Sequence, residues 1–214
     1  MSLFGGTNTG DDIAGYIHEV GEASWDSNYA EYATGEAYAT FHILETTSFE
    51  QAATIPLAAM TAALALFSRL GLPEPWFEEK SWARRPEGGV LKADIYPIIC
   101  VEGRGKDFVR SHLSEVTDYR DGESAVVAAI EEAVPKGKKL RYALDAVSEK
   151  ASFAVVCQVL DPADGAMSIV SPAGPDECPE NIRVEFSDVG RAHKGDKVFA
   201  HIWSRFFTLG LSGG

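Results

Sequence analysis

The chain is poor in cysteine, in basic residues and in uninterrupted apolar sequence, and each shortage narrows its class. Cysteine occurs at Cys100, Cys157 and Cys178 in 214 residues, a small and odd number that excludes a disulfide-dense secreted scaffold. Cys100 and Cys157 lie in the apolar runs IIC and VVCQ, so buried free thiols in a reducing, cytoplasmic setting are expected. Lys and Arg number 19 against 32 Asp and Glu, a net charge of −13. Such a surface repels phosphate backbones, which excludes nucleic acid as an expected partner, although local donors can still hold an anionic cofactor. The longest apolar segment, Ala52 to Phe67, is broken by Thr54, Pro56 and Thr61. It falls short of the roughly 20 residues a membrane span needs. The opening MSLFGGTNTGDD has neither the basic head nor the apolar stretch of a secretory signal. Fixed-period repeats and low-complexity runs are also missing.

What is present is ordinary globular material, 45% hydrophobic and 24% charged, enough to bury a core. Residues 12–43 contain the aromatic and β-branched pieces DIAGYIHEV, YAEYA and YATFHI, broken by Gly21, Asp26, Asn28 and Gly35, and read as β-structure. At Ser48 the run SFEQ has capping-box spacing. PLAAMTAALALFSRL then predicts a helix stopped by Gly71 and Pro73. From IYPIICV onward, apolar strands (EVTDY, RYALDAV, AMSIV) alternate with helical patterns (DFVRSHL, ESAVVAAIEEAV, KASFAVVCQVL). That order predicts a parallel sheet covered on both faces, an α/β fold. The aromatic tail HIWSRFFTLGLSGG leads toward a further packed element, so the chain is expected to stop before its fold does.

The run GDDIAGYIHEVG, residues 10–21, resembles the G-x-E-x-x-G-x-V-x-x-V-G stretch of the medium-chain dehydrogenase/reductase superfamily. Asp11 stands where the zinc-dependent members carry a histidine ligand, and no Cys-x-x-Cys or His-Glu pair lies nearby, which points to the zinc-independent branch. His18 and His42 are isolated and read as packed or solvated. The resemblance continues through SNYAEYATGEAYATFHI and SFEQAATIPLAAMTAALALF, which are similar to quinone-oxidoreductase-like enzymes and fungal trans-acting enoyl reductases. It implies a partial GroES-like β domain at 1–47 and a partial Rossmann-like nucleotide-binding domain at 48–214. The interval FEEKSWARRPEGGVLKAD, where the family places its first strand, glycine-rich turn and helix, has neither the strand nor the helix pattern. The first βα unit is therefore expected to be replaced at 77–94.

The same resemblance assigns a site. Thr61, in the P-x-x-x-x-TA pattern, would lie near a nicotinamide carboxamide, its hydroxyl able to donate and accept. Glu102, Arg104 and Lys106 follow the strand whose end faces the adenosine ribose. The cations favour a 2′-phosphate and the acid opposes it, so NADP(H) is expected over NAD(H), without zinc. Tyr119, in a DYR element, would approach the 2′-phosphate or adenine. Val147 and Ser148 of DAVS would border the nicotinamide ribose, and Ser171 would flank the nicotinamide. No general acid is picked out by spacing. The resemblance implies hydride transfer to an activated C=C or quinone of a small-molecule substrate, in a possible homodimer. The rival readings are a catalytically silent interaction module, since loss of the phosphate cradle weakens cofactor binding by orders of magnitude, and an unrelated nucleotide-binding α/β protein such as a methyltransferase.

Overall fold

A computed structural model describes residues 11–15, 35–76, 98–112, 115–172 and 178–212. The chain divides into two compact units, Met1–Leu64 with Asp188–Gly214, and Ala65–Ser187.

In the first unit, β1 (Ile13–Gly15) pairs antiparallel with β2 (Thr40–His42), Ala14 opposite Phe41. Phe41 is buried between half-buried neighbours, the period-2 pattern of a strand with one covered face. The expected strands between residues 16 and 34 lie outside the described residues. Helix α1 (Phe49–Ala53) starts at the expected capping box: Gln51 N–H donates to Ser48 Oγ at 3.2 Å and Ser48 N–H donates to Gln51 Oε1 at 3.0 Å. Helix α2 (Ile55–Ala63) follows and continues as a π-helical stretch, Leu64–Arg69, within which the division into units falls. Gly71 takes φ +70°, the left-handed conformation glycine adopts without a Cβ penalty, and ends the helix where the sequence placed the stop. Together Phe49–Arg69 make 21 residues of helix, long and apolar enough to cross a membrane by those criteria alone, and so longer than the interrupted sequence run implied. Its Ser48 cap and its buried Ala52, Met60, Ala63, Leu64 and Ala65 are those of a helix packed in protein.

The unit is closed by α6 (Gly190–Lys194) and α7 (Lys197–Ser212). The aromatic tail packs on its own unit. Ala200, Trp203 and Ser204 are buried one helical turn apart, and Phe207 continues that face. Phe207 meets Phe41 edge-on at 5.8 Å, Trp203 meets Phe206 at 5.3 Å, and His42 N–H donates to Thr208 Oγ1 at 3.1 Å.

The second unit carries the α/β alternation: β3 (Ile99–Glu102), α3 (Lys106–Arg110), β4 (Glu115–Asp118), α4 (Glu123–Ala133), β5 (Tyr142–Asp145), α5 (Lys150–Val159), β6 (Ala166–Ile169) and β7 (Arg183–Phe186). All pairings are parallel, as expected, in two ladders: β3 with β4, and β5–β6–β7 with β6 in the middle. All of β6 is buried, as a strand flanked on both edges and covered on both faces requires. Helix α4 packs on β3, β4 and α5, and α5 packs on β5. Phe153, Leu160, Met167, Ile169 and Ile182 form the core. Met167 is wholly inaccessible.

Two expectations need correction. Strand β7 was not foreseen, because RVEF alternates charged and apolar residues at a sheet edge and shows no continuous apolar run. Cys157 on α5 and Cys178 before β7 are joined in a disulfide, leaving Cys100 as the free cysteine. The two lie 21 residues apart in sequence, and folding brings their Cα atoms to 5.4 Å, within the range a disulfide spans. Ellman titration in denaturant should find one reactive thiol before reduction and three after. Three before reduction would show that the bond does not form.

Candidate functional site

The candidate site residues of the second unit sit at or beyond the carboxyl ends of its parallel strands, where open α/β sheets bind ligands. At the β3–β4 edge the last paired residues are Glu102 and Asp118. Asp118 is buried and accepts four hydrogen bonds from its neighbours: Arg120 N–H at 3.0 Å, Arg120 Nε at 2.8 Å, Arg120 Nη2 at 2.6 Å and Lys106 Nζ at 3.2 Å. The Arg120 side-chain and backbone hydrogen bonds hold the Asp118 carboxyl far below the usual carboxylate range. Burial opposes this and Lys106 adds to it. The same contact raises the Arg120 guanidinium above its ordinary value. Arg120 Nη2 also donates to the Gly103 carbonyl at 3.2 Å, so this cluster ties the ends of β3 and β4 together.

Lys106, expected to face a cofactor, is thus paired with Asp118. Glu102 turns one carboxylate oxygen onto its own loop, accepting from Gly103 N–H at 2.7 Å. The Tyr119 ring is more than half exposed and lies where a Cβ on Gly103 would collide with it, so Gly103 must be glycine for this ring position. Arg104 is exposed and has no partner among the described residues.

At the β5–β6 edge, Asp145 pairs in register with Ile169. Its Oδ1 accepts from Val147 N–H at 3.0 Å and Ser148 N–H at 2.8 Å, an Asx-type turn that reverses the chain out of β5. Ser148 is held at φ +55°, an uncommon backbone state for a residue with a Cβ. Its buried hydroxyl donates to the Asp145 carbonyl and accepts from Val170 N–H, both at 2.9 Å. The Ser148 side chain therefore pins the ends of β5 and β6 to each other, while Val147 beside it is exposed. Asp145 Oδ2 is buried with no partner among the described residues. Ser171, half-buried, follows the end of β6.

Thr61 lies on α2 in the first unit, half-buried, its hydroxyl without a partner among the described residues. The interval 77–94, with the expected replacement of the first βα unit, lies outside the described residues, as do His18 and most of the GDDIAGYIHEVG run. Sequence reasoning selected Tyr119 and passed over its neighbours Asp118 and Arg120. The signal was present, because a strand-end aspartate two residues before an arginine can accept from both its backbone and its side chain.

The chain is 34% identical, over 97% of its length, to the trans-enoyl reductase fsr4 of Gibberella fujikuroi, and spans 72% of that protein. It belongs to the fungal trans-enoyl reductase family. This bears out the medium-chain dehydrogenase/reductase resemblance read from the sequence. Two further relatives agree. The trans-enoyl reductase phm4 of Pyrenochaetopsis sp is 29% identical over 80% of this chain, and the enoyl reductase cheB of Chaetomium globosum 28% over 79%. The chain spans about half the length of each of these two. No family model matches it.

Proposed function

We propose that this trans-enoyl reductase family member reduces an electron-poor C=C of an enoyl substrate, using a reduced nicotinamide dinucleotide. The observation that carries the reading is the family likeness through nearly the whole chain, and the strand-end location of the candidate residues in the second unit supports it. That unit reads as a Rossmann-like portion, and the first as part of a GroES-like β domain. The residues present fit the cofactor: Gly103 leaves room for the Tyr119 ring at one edge, and Asp145 offers a buried acceptor lacking a donor at the other.

When bound, the nicotinamide supplies the hydride. The chain's residues supply position and electrostatics. Tyr119 and the Glu102–Lys106 loop would hold the adenosine end; Val147, set by the Asp145–Ser148 turn, would border the nicotinamide ribose; Ser171 would flank the ring. A hydride delivered to one alkene carbon requires a proton at the other, and no side chain is assigned to that transfer.

A second reading, a non-catalytic module, is favoured by the separation of the β3–β4 and β5–β6–β7 ladders, which no strand joins among the described residues. Fluorescence titration with NADH and NADPH separates the two. Saturable binding in about the micromolar range, with nicotinamide oxidised on adding an α,β-unsaturated thioester, is the expected result. A cooperatively folded protein that binds neither dinucleotide at millimolar concentration supports the silent module instead.

A further inference from the structure

We propose that Cys157 and Cys178 are a reversible thiol–disulfide site, opened and closed by a low-molecular-weight thiol acting at Cys178, whose state sets how firmly the carboxyl end of β6 is held. Cys157 lies on α5 and Cys178 shortly before β7, and their bond joins positions 21 apart in sequence. The span it closes contains β6, Val170 and Ser171. Because β7 runs parallel to β6, the chain leaves β6 at its carboxyl end and must re-enter the sheet at the amino end of β7. The bond fastens that return to α5. Val170 N–H donates to Ser148 Oγ at 2.9 Å, and Ser187 N–H donates to the Ile169 carbonyl at 2.8 Å. With the bond open, noncovalent ties of this kind alone hold the carboxyl ends of β6 and β7.

The surroundings of the two sulfurs suit a switch better than a staple. Disulfides are needed for folding where a domain is too small to build a core. Here Phe153, Leu160, Met167, Ile169 and Ile182 pack around Cys157. A free thiol behaves as a small hydrophobe in such a setting, so this core accepts the open state as well as the closed one. The two cysteines also differ in access: Cys157 is buried and Cys178 half-buried. An incoming thiolate therefore reaches Cys178 first. It bonds to Cys178 Sγ, the Sγ–Sγ bond breaks, and Cys157 leaves as a thiolate that takes a proton from solvent. A second thiolate attacks the outer sulfur of the mixed disulfide, the small-molecule disulfide departs, and Cys178 is released and protonated. The reverse sequence, with that small-molecule disulfide as the oxidant, restores the bond.

The test equilibrates the full chain in mixtures of reduced and oxidised glutathione, traps free thiols by alkylation and counts them by mass. Amide hydrogen exchange is then followed in the oxidised and reduced samples. The expected count is one thiol at the oxidising end and three at the reducing end, returning to one on re-oxidation, with the far-UV circular dichroism unchanged throughout. The Val170 and Ser187 amides should exchange at least about tenfold faster once the bond is open. The Arg120 amide, held by Asp118 at the end of β4, should keep its rate. Cys178→Ala should show the fast rates at Val170 and Ser187 without any reductant. A bond that survives excess reduced glutathione in the folded protein overturns the proposal, as does a fold lost together with the bond. Equal acceleration at Arg120 overturns it too, because the bond would then add only to global stability. None of these readouts uses a dinucleotide, so the thiol pair is tested independently of the cofactor reading above.

Discussion

Asp118→Asn is expected to uncouple the ends of β3 and β4 and to change how the protein responds to acid. The wild-type carboxylate carries the Arg120 and Lys106 hydrogen bonds while buried. Asparagine keeps one acceptor oxygen but turns an NH₂ group toward two cationic donors, so the salt-bridged half of the cluster is lost outright. The pH dependence follows from the depressed folded-state pKa of Asp118. A carboxylate held below its ordinary value of about 3.9 stabilises the fold fully above that value, and the stabilisation is lost as pH falls from there toward the folded-state pKa. Wild-type thermal midpoints should therefore decline below about pH 4, and Asp118→Asn should start lower at neutral pH and decline less across that window. Asp164→Asn is the control. The Arg141–Asp164 pair is as short, 2.6 Å, but both side chains are more than half exposed, so its loss should be nearly silent. A midpoint-versus-pH profile identical to wild type would refute the role assigned to Asp118.

Much of this edge was legible in the sequence, and the part that was not has definite physical causes. Alternation of apolar strands with amphipathic helices specified the second unit as parallel α/β, since strands buried on both faces leave a continuous apolar record, as AMSI does in β6. SFEQ specified a helix start because both halves of a capping box are local in sequence. Strand β7 left no such record, its charged residues belonging to an edge. The Cys157–Cys178 bond depends on a long-range approach that spacing does not encode. The strand ends were legible at the level of segments, and the pairing of their side chains was not. DAVS marked the β5 end correctly, but only the backbone twist at Ser148 reveals that its hydroxyl turns inward to Asp145 and Val170. Likewise EGRGK and DYR supplied cations and acids in plenty. Which of them pair with each other, and hence which remain for a ligand, is decided by the register of β3 on β4.

At the opposite edge, Asp145→Ala should be the most damaging single change to the β5 end. It removes the acceptor of Val147 and Ser148 N–H. A hydrogen bond to a charged group contributes about 1.5–3 kcal/mol, so a loss of about 3 kcal/mol in urea unfolding is expected, with Ser148 no longer held at φ +55°. Asp145→Asn separates the fold from the orphaned oxygen. Its carbonyl can still accept from both N–H groups, so stability should stay within about 1 kcal/mol of wild type, while the NH₂ group replaces an acceptor that has no donor. Ser148→Ala and Ser148→Gly divide the remaining terms. Alanine deletes the hydroxyl that bridges Asp145 O and Val170 N–H and keeps the left-handed backbone, costing about 1–3 kcal/mol. Glycine loses the same hydroxyl but removes the Cβ penalty of about 1–2 kcal/mol, so it should unfold at higher urea than alanine despite being the smaller residue. Alanine equal to or more stable than glycine would mean that the turn is not strained at Ser148.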